Sequence, residues 1–143
     1  MRKLDKRGVA AFEFCLVALA FFTLVLAIFD LGVYAITMQS LHMLANAGAR
    51  ATMVEPPNGN GCYADAVTAN TPITCSGDPL PSVAAKKAVA PFLFSSGGNT
   101  PTLNMTTGAN AVTVTASQPG FTMLLPIWGT AMNAPSASTL IPF

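Results

Sequence analysis

One acidic side chain, Glu13, stands inside an otherwise uncharged run from Val9 to Phe29. An acid at the centre of a membrane-crossing helix costs about 2.5 to 3.5 kcal/mol, less near an edge, so such a residue calls for a partner. A blander reading has Glu13 reaching the cytoplasmic interface or lying in the first turn of the helix dipole. Other reactive groups are sparse. His42 is the sole histidine and reads as a surface residue, so a serine or cysteine nucleophile has no base to serve it. Asp65 and Asp78 are the candidate carboxylate pair, with nothing in their spacing to support paired catalysis. Gly97-Gly98 is not followed by the Lys-Ser and helix pattern of a phosphate cradle. Lys86-Lys87 reads as a solvated helix face, because attraction to anionic lipid uses clusters of about 4 to 8 basic residues. The expectation is a protein that is not an enzyme, with no cofactor and no metal.

The three cysteines divide by surroundings. Cys15, in the apolar run, reads as an inert small hydrophobe. Cys62 and Cys75 bracket 12 residues on the side of the chain predicted to be extracytoplasmic, where an oxidising compartment favours a Cys62–Cys75 disulfide. Zinc lacks ligands, since there is no C-x-x-C pair and one histidine.

The elements that must hold these groups follow from composition and pattern. Only 9% of the 143 residues are charged, against about 25% in ordinary soluble proteins. Hydrophobic residues make up 52%, and mean hydropathy is +0.52, so a membrane segment is expected. A net charge of +1 argues against nucleic acid as a partner. Residues 1–8 hold Arg2, Lys3, Lys6 and Arg7 against Asp5, and such a basic cluster ahead of a span predicts a cytoplasmic N-terminus. The apolar run is too long for the about 7 to 15 residues of a secretory signal core, which favours an anchor. The outer part should therefore be periplasmic.

No proline occurs before Pro56, and Gly32 and Gly48 are the only glycines between Val9 and Val54, so one helix over residues 9–53 is predicted after a basic leader at 1–8. Beyond Asp30, Gln39, His42, Asn46 and Arg50 alternate with Tyr34, Met38, Leu41, Ala45 and Gly48 as in an amphipathic helix. Ala45, Ala47, Gly48, Ala49 and Ala51 form a small-residue surface that another helix or a sheet could approach closely, or serve only as helix formers. Asp30 and Arg50, about 30 Å apart along a helix, cannot pair within it. Any ion pair of either residue would then be between subunits or with the outer domain; the competing reading has Asp30 as an interface residue and Arg50 as a snorkelling or capping cation.

Glu55 to Gly61 must end the helix. Residues 54–143 are predicted as an α+β domain. Its helices are expected over Tyr63 to Asn70 and over Pro81 to Phe94, the second ended or interrupted by Pro91. A loop is expected over residues 95–101. Ala111 to Ser117 alternates as a half-buried strand, with Leu103 to Thr107 its hairpin partner through Gly108-Ala109-Asn110. Phe121 to Leu125 is a further candidate strand, and Asn133 to Phe143 an irregular tail or an edge strand.

Arg7-Gly8-Val9-Ala10-Ala11-Phe12-Glu13-Phe14 is a basic leader end, a glycine, small or apolar residues, then glutamate and an apolar helix. It resembles the processing site of type IV pilins and pseudopilins. With Phe29-Asp30-Leu31-Gly32 and Ala45-Asn46-Ala47-Gly48-Ala49-Arg50, the match is similar to the TadE-like minor pilins of tight adherence (Flp) pilus systems, over residues 7 to about 53. Val112-Thr113-Val114 followed by Phe121 to Pro126 is similar to that family's later strand region. The proline that the family often carries in the apolar run is absent here.

The resemblance implies cleavage between Gly8 and Val9 by a prepilin peptidase, which makes Glu13 the fifth mature residue. It implies that Glu13 pairs with the new terminal ammonium of a neighbouring subunit during assembly. It further implies a structural role in assembly or tip priming of the pilus. The implied partners are the peptidase, other minor and major pilins, the assembly platform of the bacterial inner membrane and membrane lipid, with an extracellular location once the subunit is in the pilus. The competing reading is a single-pass anchored periplasmic binding domain without a role in polymerisation.

Overall fold

A computed structural model describes residues 6–54, 62–70, 72–95, 100–125 and 129–142. Its first element, α1, is a 49-residue helix over Lys6–Val54. Nothing in that stretch interrupts the backbone ladder, for it holds no proline and only three glycines. The side chains divide α1 into two parts. Val9, Phe12, Phe14, Leu16, Val17 and Leu19 are exposed, whereas Leu41, Leu44, Ala45 and Ala49 are buried.

The remaining elements are α2 (Cys62–Ala69), β1 (Ser76–Gly77), α3 (Val83–Val89), a 3-10 turn at Pro91–Phe94, β2 (Thr102–Thr107), β3 (Ala111–Ser117) and β4 (Ser136–Pro142). They form an α+β domain with a four-stranded antiparallel sheet in the order β1-β2-β3-β4. Ser82 caps α3 by accepting a hydrogen bond from the Ala85 amide, and Pro91 starts the following turn. The expected turn at 55–61 lies outside the described residues, as does most of the expected loop at 95–101.

The alternation read in Ala111 to Ser117 has a physical cause. Val112, Val114 and Ala116 of β3, with Leu103 and Met105 of β2 and Ala137 and Ile141 of β4, bury one sheet face against the second part of α1. The tail takes the edge-strand form, with β4 paired to β3 along its whole length from Ser117–Ser136 to Ala111–Pro142. β1, only two residues long, has no hydrophobic alternation to signal it and owes its place to pairing with Met105 and Thr106. Phe121 to Leu125 is not a strand. Its amides are engaged elsewhere: Phe121 donates to the Gln118 carbonyl, Met123 to Asn133 Oδ1, and Leu124 and Leu125 to a carboxylate of α1.

Gly48 explains why the sheet can lie on the helix. A Cβ there would stand 2.9 Å from Leu103 Cδ2, 3.0 Å from Val114 Cγ1 and 3.1 Å from Pro79 Cγ. The small-residue surface thus receives a sheet, and Thr139 Oγ1 donates to Asn46 Oδ1 at 2.8 Å beside the contact. Gly48→Ala gains about 1 kcal/mol of helix propensity against that crowding. Gly48→Val gains less and pushes two methyl groups toward the rigid Pro79 ring and the stiff Val114 side chain. It is expected to destabilise the fold by about 1 to 3 kcal/mol, measured by thermal melting of the full chain in detergent. An unchanged melting temperature would mean that the sheet does not approach the helix this closely.

Candidate functional site

Several of the residues singled out by their chemistry occupy two regions of α1, and the others lie in the outer domain. Gly8 and Val9 lie near its start, with open space around Gly8, and Val9 and Glu13 are exposed. Glu13 is flanked by exposed Phe12, Phe14 and Leu16, and among the described residues it has no ion-pair partner. Residues 14–29 carry no charged side chain. This surface of outward apolar residues broken by one carboxylate fits a single-pass membrane anchor. Cys15 is a free, exposed thiol on the same stretch.

The second region begins at Asp30. Asp30 is 8% exposed, and its carboxylate accepts two backbone hydrogen bonds, from the Leu124 amide to Oδ1 at 3.0 Å and from the Leu125 amide to Oδ2 at 2.8 Å. Charge-assisted bonds of this kind are stronger than neutral ones and satisfy both carboxylate oxygens at once. Tyr34, one turn further on, meets Phe121 with ring centroids 6.1 Å apart. Val33 lines a groove of about 190 Å³ with Gln118, Gly120, Phe121 and Thr122. Asp30 is therefore the helix side of a clasp on the outer domain. Asp30 thus meets the outer domain through backbone amides and not through the ion pair considered for it, with no cation paired to it among the described residues.

Arg50 is exposed and lines an open groove of about 370 Å³ with Met43, Asn46, Ala47 and Val89. His42 is exposed on the polar side of α1. The expectation for Lys86 needs correction. Only Lys87 is solvated, while Lys86 is 7% exposed and its Nζ is paired with Asp78 Oδ2. The pairing has a local cause: Asp78 also accepts from the Leu80 amide at 2.9 Å, and that turn aims its second oxygen at the helix carrying Lys86. Asp78 is accordingly committed to a structural pair, and the side chain of Asp65 lies outside the described residues.

Cys62 and Cys75 are joined by a disulfide, with Cα atoms 5.6 Å apart. The bridge ties the start of α2 to the approach of β1. Cys75 is buried, and Thr107 Oγ1 donates to its carbonyl at 3.1 Å.

Comparison with known proteins bears on the first region and part of the second. Residues 8–50, under a third of the chain, match the family model described as TadE-like protein. No curated protein and no solved structure matches the chain. The match spans the Gly8–Val9 bond, Glu13, Asp30 and Gly48, and ends where α1 nears its last turn. Over this stretch the chain is similar to TadE-like proteins, which is consistent with a TadE-like protein of the Tad pilus system.

Proposed function

From this similarity over α1, we propose that the protein is a structural minor pilin, or pseudopilin, that a prepilin peptidase processes between Gly8 and Val9. In this reading the basic end faces the cytoplasm and the α+β domain the periplasm. The subunit is drawn from the inner membrane by the assembly platform and takes part in assembly or tip priming alongside other minor and major pilins. It acts by packing, and not as an enzyme. Lipid surrounds its apolar stretch until extraction, and the finished pilus is extracellular.

One observation carries the proposal: a lone carboxylate on an apolar, exposed helical surface, five residues beyond Gly8. Removing residues 1–8 would create an ammonium at Val9. A neighbouring subunit's ammonium can then meet Glu13 where water is scarce and an isolated charge is expensive.

Intact-mass measurement of the protein from cells with and without the peptidase tests it. The expected product begins at Val9 in the first case and retains the basic leader in the second. A chain that keeps its leader in peptidase-bearing cells overturns the proposal and leaves a single-pass anchored binding domain.

A further inference from the structure

The clasp at Asp30 fixes where the outer domain meets the membrane. From Gly8 to Phe29 a helix measures roughly 33 Å at 1.5 Å per residue, close to the roughly 30 Å hydrocarbon layer. Asp30 therefore lies at the boundary opposite the basic end. The two amides that hold its carboxylate belong to Leu124 and Leu125. Leu124 is 73% exposed, although its amide bond to Asp30 holds it at the helix level where Ile28, Phe29 and Val33 are also exposed.

We propose that the Phe121–Leu125 segment is a second membrane contact, with Leu124 entering the interfacial layer of the leaflet opposite the basic end and Asp30 pinning the segment at that depth. This rests on α1 spanning the bilayer. The occupant is lipid because the patch continues the apolar surface of the span. A large aliphatic side chain held against that surface at the edge of the hydrocarbon meets acyl chains first. Asp30 suits its part, since two donated hydrogen bonds satisfy a carboxylate at a depth where water thins out. The sheet runs away from this level. Phe121 packs at Tyr34 while Val114 of β3 packs at Gly48, further along α1, so among the described residues the sheet leads away from the lipid.

The test uses the full chain with Cys15→Ser, reconstituted in phosphatidylcholine vesicles and labelled with an environment-sensitive fluorophore at Leu124→Cys, Leu19→Cys or Ala109→Cys. Lipids carry a nitroxide either near the headgroup or near the acyl-chain end. At position 124 the headgroup-proximal nitroxide is expected to quench more than the deep one, with a blue-shifted emission. Position 19 should be quenched most by the deep nitroxide, and position 109 by neither. Asp30→Ala should abolish quenching at 124 and leave position 19 unchanged.

If position 124 behaves like 109 while 19 is quenched, the second contact is wrong and the span stands. If 19 is unquenched, the span itself is wrong. A blue-shifted emission at 124 without nitroxide quenching, with quenching gained only as protein is diluted into lipid, would mark contact with a second copy and overturn the lipid assignment. Quenching at 124 that survives Asp30→Ala in a protein with an unchanged melting temperature would overturn the pinning role.

Discussion

Replacing Cys62 and Cys75 together by serine is expected to destabilise the outer domain by about 3 kcal/mol, and to lower its melting temperature on the order of 10 to 20 °C. The sequence separation across the bridge is 13 residues, so the unfolded chain gains the freedom of that loop when the bond is removed. What remains to hold α2 is modest: Ala66 is buried and Tyr63 packs against the core at its margin. Strand β1 is more exposed to the loss. Its two residues follow Cys75 directly and offer no buried side chain of their own. Near-ultraviolet circular dichroism of the full chain in detergent would read the transition, with Cys15→Ser as a control expected to leave it in place. A double variant that melts with the parent would show that the bridge follows a geometry already fixed by packing.

How far the sequence announced this architecture depended on whether a feature was local. The long helix was legible because a chain of about 45 residues without proline leaves little else to form, and its two parts were legible from the shift between uniform and alternating hydrophobicity. β3 announced itself through Val112, Val114 and Ala116, and β2 through a turn three residues long. Phe121 to Leu125 misled for a definite reason. An apolar run between prolines looks like a strand, but its amides are taken by Asp30 and Asn133, the first of these 94 positions away in sequence from Leu124. Backbone donors have no residue signature, so the clasp could not be seen from its outer half. Phe29-Asp30-Leu31-Gly32 marked only the helix half. Lys86 misled in a similar way, since its burial depends on Asp78 being turned toward it by the Leu80 amide. Gly48 was half legible: small residues signalled a close approach, and the structure supplied the sheet that approaches.

Glu13→Ala is expected to leave membrane insertion intact, or to ease it, while reducing incorporation into the pilus by at least about tenfold, the factor that corresponds to about 1.4 kcal/mol of lost pairing. The two halves of this expectation pull in opposite directions, which makes it diagnostic. If Glu13 merely reached the interface or answered the helix dipole, alanine would remove a small local effect and assembly would proceed. If it is the counter-ion of a neighbour's terminal ammonium, alanine leaves that cation unpaired in an apolar setting. Glu13→Gln separates charge from shape, because the amide keeps the side-chain length and can accept a hydrogen bond but carries no charge. It should fail nearly as badly as alanine. Glu13→Asp keeps the charge on a stem one methylene shorter and should recover part of the yield. Membrane fractionation gives the first readout and sheared-pilus yield the second. Full piliation by the alanine variant would sink the pairing, while processing at Gly8–Val9 in the same cells would show that the peptidase step does not depend on it.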